Sequence, residues 1–261
     1  MKALIKNELR RSRKNLLIWL GIMLLLVGFC YYEYLSLKDS LDDMVKMFDS
    51  IPRIISIMFG VKGDLNTALG WYSCIYFWTS ILSFVYALNL GISCVAKELK
   101  NGTSAYLFTK PVQRKEIVLA KVIASAVNLL IFSVLSGVCN YAMIILPAGG
   151  LAQPTAALTT TIGLFLTQFM FFAVGFLIAG LVKKYKSAVQ ISAAFLLISY
   201  GIAITAQYTG VHFLDYLSPL RYFDVYEVTQ SGISIFCLVL AVVLISICIV
   251  AATNHWEKRE V

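Results

Sequence analysis

Six stretches of this chain, residues 16–35, 71–96, 122–146, 157–182, 188–208 and 232–252, run for about twenty residues or more with almost no charge. A helix rises about 1.5 Å per residue and a bilayer's hydrocarbon core is about 30 Å thick, so each stretch is long enough to cross it as an α-helix. Inside lipid the backbone has no water to bond with, which leaves helices and closed barrels as the only spanning structures. Barrel strands alternate apolar and polar residues over about ten positions, whereas 22–27 and 233–250 show no such alternation. The sequence therefore predicts an all-α integral membrane protein with six transmembrane helices, forming a single domain over 1–261. Composition agrees: 59% of the 261 residues are hydrophobic and 14% charged, against about 25% charged in an average soluble domain. A soluble fold and a disordered chain are both excluded. The first stretch carries one charge, Glu33, beside Tyr31, Tyr32 and Tyr34, where an interfacial aromatic belt is expected. No small-residue cleavage site follows it, so it is read as a retained helix and not a signal peptide.

Charge sets the orientation. Seventeen of the 22 Lys and Arg lie in the first fifteen residues, in 97–121, in the Lys183–Lys186 turn and in the tail; with five acids in those segments that face carries +12, and the other face, five cations against nine acids, carries −4. Positively charged loops stay in the cytoplasm, which predicts both termini cytoplasmic and accounts for the basic net charge without nucleic acid.

The six cysteines lie singly in apolar runs with no C-x-x-C spacing, the pattern of small hydrophobes packed between helices and not of a disulfide or zinc framework. No G-x-x-x-x-G-K-S/T phosphate loop is present, and His212 and His255 both fall outside the spans. The chain has no nucleotide cradle, and no candidate base or metal set for intramembrane hydrolysis. The expectation is a non-enzyme with no catalytic residues, no metal and no cofactor of its own. No ionisable residue sits near a helix centre, unlike ion-coupled carriers and proton relays. Asn89, Asn128, Asn140, Gln168 and Gln190 are expected to hydrogen-bond between helices, and the small pairs Ala87/Gly91, Ser133/Gly137 and Gly175/Ala179 to let helices approach closely.

The loops are more specific. Residues 1–15 place Leu4, Ile5 and Leu9 at helical spacing among six cations, which reads either as a topology anchor or as an amphipathic elbow helix along the inner membrane surface. The segment 97–121 has a break at Asn101-Gly102, an apolar patch at Tyr106, Leu107 and Phe108, and Pro111 ahead of the next span. It is either a headgroup-hugging loop or a docking surface for a soluble partner. In the first outer loop, Leu37, Leu41, Met44, Val45 and Phe48 share one helical face opposite Lys38 and four aspartates, predicting a surface helix. In the last, Arg221, Asp224 and Glu227 are three apart, so on one short helix they would share a face, as an ordinary surface ion pair among other possibilities.

Glu98, Gly102-Thr103, Tyr106-Leu107, Lys110-Pro111, Arg114 and Lys121 together resemble the signature between the second and third helices of type-2 ATP-binding-cassette (ABC) exporter permeases. Ile51-Pro52, Met58-Phe59-Gly60, Leu65, Thr67 and Gly70 resemble that family's first outer loop, and Ser218-Pro219 with Tyr222-Phe223 its last. The resemblance implies that 97–121 is a coupling segment seated on a separate cytoplasmic ABC ATPase. Glu98, Gly102, Thr103, Tyr106, Leu107, Lys110, Pro111 and Arg114 would make the main contact, and Lys184 in the second cytoplasmic turn a smaller one. It also implies two ATPase copies that bind ATP and Mg, a second permease copy or close paralogue, and a last outer loop that dips into the membrane, making Arg221, Asp224 and Glu227 outer-gate candidates. The function expected is that of an exporter permease in the cell membrane. With no buried charge in the spans, hydrophobic or amphipathic cargo fits best: peptide toxins or bacteriocins first, lipids or drugs second, sodium third. The alternatives are a six-helix substrate-binding subunit of a vitamin importer, or a non-transporting scaffold.

Overall fold

A computed structural model of the chain describes residues 2–37, 51–62, 68–100, 114–148, 154–182 and 184–257. Its described helices are α1 (Lys2–Leu37), α2 (Arg53–Met58), α3 (Ala68–Lys100), α4 (Arg114–Ala148), α5 (Pro154–Leu181), α6 (Tyr185–Thr209), α7 (His212–Asp215), α8 (Val225–Ser231) and α9 (Ile235–Glu257). Six of them, α1, α3, α4, α5, α6 and α9, are long and apolar enough to cross a membrane, in the order the sequence predicts. The expected surface helix over 37–49 falls almost entirely outside the described residues.

Helices α3, α4 and α5 form the interior, and α5 touches α3, α4, α6, α8 and α9. The expected small-residue contacts are where the backbones come closest. A Cβ on Gly91 of α3 would run into the Phe172 carbonyl of α5, and one on Gly175 would lie 2.7 Å from the Leu88 carbonyl. Only glycine fits either position. Gly137 of α4 is likewise pressed against Thr161 of α5. Beside the α3/α5 crossing, Phe84 and Phe171 stack with ring centroids 4.9 Å apart.

The polar residues at depth divide. Asn128 donates to Ser12 at 2.7 Å, joining α4 to α1, and Ser133 donates to Gln168 at 2.6 Å, joining α4 to α5. Asn89 and Asn140 instead bond within their own helices, to Ser93 and Ser136, and Gln190 is exposed on α6.

Two boundaries differ from expectation. Residues 2–15 are continuous with the first span: α1 runs for 36 residues, about 54 Å and well beyond the hydrocarbon core. Leu16, Leu20, Met23 and Val27 are buried, and Ile5, Leu9 and Ser12 continue the same face at spacings of three and four with partial burial. One uninterrupted contact stripe favours one continuous helix. At the other end, Gly232 is not the start of the last span. It terminates α8 with φ +76°, and α9 begins at Ile235, because a left-handed backbone suits glycine and ends a helix.

Candidate functional site

Functional candidates gather at the two ends of the bundle. At the basic end, α3 extends through Lys100 and α4 starts at Arg114, so both spans project beyond the bilayer as stalks on either side of the predicted coupling segment. Gly102, Thr103, Tyr106, Leu107, Lys110 and Pro111 lie outside the described residues. Glu98 and Arg114 fall on the stalk helices, and Lys184, exposed and extended, stands at the N-cap of α6.

The roots of the stalks are joined. Lys121 of α4 is 4% exposed and donates to the Cys94 carbonyl of α3 at 2.6 Å, with its ammonium 6.0 Å from the centroid of the Trp256 ring of α9. Cys94 Sγ and Ser125 Oγ lie 3.2 Å apart across the same α3/α4 seam. A buried ammonium at such a junction is costly to displace, so α3, α4 and α9 are held together near the ends of α3 and α4 that flank residues 101–113.

At the opposite end, the two outer loops fold onto each other. Pro52 sits at the N-cap of α2, where its fixed φ and missing N–H cost nothing. Tyr200 of α6 donates to the Met58 carbonyl at 2.6 Å and Cys74 of α3 to the Phe59 carbonyl at 3.6 Å, pinning the end of α2 from two sides. Gly60, at φ +76° against the Phe77 ring, then turns the chain so that Lys62 points back into the protein. In the last loop, Ser218 Oγ donates to the Ser199 carbonyl at 2.7 Å and Tyr222 Oη to the Tyr216 carbonyl at 2.7 Å. The resulting turn delivers Arg221 and Asp224.

Arg221, Asp224 and Glu227 do meet, though not on one helical face. Asp224 is the N-cap of α8, accepting from the Tyr226 N–H at 3.1 Å, so Arg221 lies outside that helix and reaches the acids through its guanidinium. Its Nη1 is 3.3 Å from Asp224, its Nη2 2.7 Å from Glu227 and its Nε 2.8 Å from Asp215. Lys62 pairs with the same Asp224 oxygen, Oδ2, that faces Arg221. The centre of the cluster is buried, with the side chains of Arg221, Asp224 and Lys62 10%, 13% and 14% exposed, while Glu227, 59% exposed, forms its open edge. Burial alone would raise the Asp224 pKa, but Lys62 and Arg221 outweigh it and hold the carboxyl below its ordinary value. Burial likewise disfavours the Arg221 cation, yet Asp224, Asp215 and Glu227 keep its pKa above the usual arginine value. Lys62 and Asp215 were not anticipated from the sequence, since their partners are remote or become neighbours only through the turn at Ser218-Pro219.

Two cavities flank this cluster, and both are lined by Ile57, Lys62, Gln207, Arg221 and Asp224. The inner one, ≈ 70 Å³, reaches into the bundle along Ser73, Tyr76 and Ser80 of α3 and Thr167 of α5. The outer one, ≈ 310 Å³, is completed by Arg53, Ser56, Tyr226 and Glu227. Lys62, Arg221 and Asp224 of the ion cluster lie on the lining the two cavities share.

Residues 2–261 match the family described as ABC-2 family transporter protein. No curated protein matches the chain.

Proposed function

Because this chain belongs to the ABC-2 transporter family, it is a membrane component of a transporter that works with an ATPase, and we propose that it is the permease of an exporter for hydrophobic or amphipathic cargo. The observation that carries the export reading is the charged cluster shared by the linings of an inner and an outer cavity at the end away from the basic face. A closed ion cluster there bars the way out, and an alternating-access cycle requires a barrier of that kind. The basic end is the cytoplasmic one, by the concentration of Lys and Arg in its loops.

In this reading Arg221, Asp224 and Glu227, joined by Lys62, form the outer gate. Two cytoplasmic ATPase subunits bind ATP and Mg, close on each other and pull on the coupling segment. The contacts are Glu98, Gly102, Thr103, Tyr106, Leu107, Lys110, Pro111 and Arg114, with Lys184 as the smaller one. The stalks of α3 and α4, joined at Lys121, carry the displacement into the spans as a unit. For nucleotide to exchange the inward- and outward-facing arrangements, the closed ATPase pair must favour one of them by several kcal/mol.

A second copy of the chain completes the assembly. Helix α6 leaves Gln190, Gly201 and Thr205 exposed within a membrane span, and an amide facing lipid is unfavourable where a neighbouring helix could satisfy it.

Amphipathic peptide is the first cargo choice, lipid or drug the second. The inner cavity, closed down to ≈ 70 Å³ in this arrangement, joins hydroxyls of Ser80 and Thr167 to the rings of Phe77, Phe84 and Phe223, so an amphiphile would meet both chemistries once the helices part. The test is ATPase activity of the purified complex. Stimulation by an amphipathic peptide supports this order; indifference to peptide with stimulation by sodium overturns it.

A further inference from the structure

We infer that the outer cavity is a binding site for the anionic headgroup of an amphiphile. Its wall is rich in donors. Arg53 and Ser56 of α2, Gln207 of α6 and Tyr226 of α8 all line it, and among the described residues no side-chain hydrogen bond or ion pair engages any of the four. The carboxylates present are already committed: Asp224 to Lys62, Arg221 and the Tyr226 N–H, Glu227 to Arg221. The lining therefore carries three cations against two acids, with Arg53 as the cation left to recognise an incoming group. A planar guanidinium beside hydroxyl and amide donors matches the several acceptor oxygens of a phosphate or carboxylate.

The surroundings supply the apolar half. On α2, the helix that contributes Arg53 and Ser56, Ile54, Ile55 and Met58 are exposed, as is Phe59 just after it. Tyr216 and Leu217, in the turn that ends α7, are exposed as well. Apolar side chains at the membrane end of the bundle, next to a charged recess of ≈ 310 Å³, suit a ligand whose head enters the recess while its chain stays in the acyl region. That volume is at the lower end of small-ligand pockets: enough for a headgroup, too small for a folded peptide. The site stands independently of the cargo assignment, since a membrane phospholipid and an exported amphiphile share this chemistry.

The test uses the full-length chain, purified in detergent, delipidated and titrated with short-chain phosphatidylglycerol, phosphatidylcholine or inorganic phosphate. Bound lipid is counted by native mass spectrometry, and the site is located by hydrogen exchange. Phosphatidylglycerol is expected to bind about tenfold tighter than phosphatidylcholine, about what one charge-assisted pair contributes. It should slow exchange across residues 51–62 and 225–231. Arg53→Gln, at an exposed position that does not threaten folding, should abolish the preference, whereas Arg13→Gln at the basic end should leave it intact. Equal binding of the two lipids, or a preference that survives Arg53→Gln, would overturn the site. Inorganic phosphate binding as tightly as phosphatidylglycerol would overturn the amphiphile and leave a free-anion site.

Discussion

Removing the Lys62 ammonium is the sharpest perturbation of the proposed gate, because it acts on a carboxylate with little access to water. Asp224 is 13% exposed, and in Lys62→Met it would keep Arg221 Nη1 at 3.3 Å and the Tyr226 N–H at 3.1 Å. Stripping a buried charge of its partner costs about 3–5 kcal/mol when it is left alone. With two partners remaining, the closed arrangement should lose about 2 kcal/mol, which shifts the open-to-closed ratio roughly thirtyfold. The assay is access to the inner cavity. Ser80, 7% exposed and part of that lining, is replaced by cysteine in a background lacking the six native cysteines, and a membrane-impermeant maleimide is added on the side opposite the termini. Labelling should be slow with Lys62 present, faster by roughly the same thirtyfold in Lys62→Met, and slow again in Lys62→Arg. An unchanged labelling rate in a Lys62→Met protein that melts normally would refute the gate.

Four further outcomes are expected. Tyr106→Asp or Leu107→Asp should abolish ATP-driven transport while membrane insertion, followed by fractionation, stays normal. Because the Asp224 pKa is lowered on folding, its pairs contribute stability that is complete above the ordinary carboxylate range and lost as pH falls through the folded value. The gap in melting temperature between the parent and Asp224→Asn should therefore hold from about pH 8 to 5 and close only below about pH 4. Gly91→Val should destabilise the bundle by about 2–4 kcal/mol in detergent melts. Gly28→Ala, whose added Cβ meets nothing within 4 Å, should stabilise the protein by about 0.5–1 kcal/mol, the helix preference of alanine over glycine.

The membrane architecture was legible because hydropathy over twenty residues reports a single strong constraint, the absence of water around the backbone. Glycine spacing identified the α3/α5 contact for a related reason: only a residue without a Cβ admits a neighbouring carbonyl at Leu88 or Phe172. Details depending on which face of an apolar helix turns inward were harder to read. In α1, Leu16 and Leu20 are buried while Leu17, Leu24 and Leu25 are exposed, and hydropathy does not separate them. The charged stretch at the start of α1 drew attention to the membrane surface, whereas Ile5, Leu9 and Ser12 had already continued the packing face of the span.

The ion cluster shows the limit of local spacing. Arg221, Asp224 and Glu227 suggested a shared helical face, but the N-cap at Asp224 places Arg221 in a turn, and the cluster is completed by Lys62 from 162 residues earlier in the chain. Only the folding of the first outer loop onto the last, set by Gly60, Tyr200 and Ser218, brings that lysine to the carboxylate. Lys121 is a similar case. In sequence it was one cation of a basic segment; in the fold it is buried and ties α4 to α3.

In the function proposed above, this chain is driven from outside itself through the segment between α3 and α4. The direct measurement is ATP-dependent cargo movement in proteoliposomes containing the permease alone, the permease with its ATPase, or the Leu107→Asp permease with that ATPase. The account predicts movement in the second preparation only. Movement by the permease alone, or undiminished movement with Leu107→Asp, would contradict it.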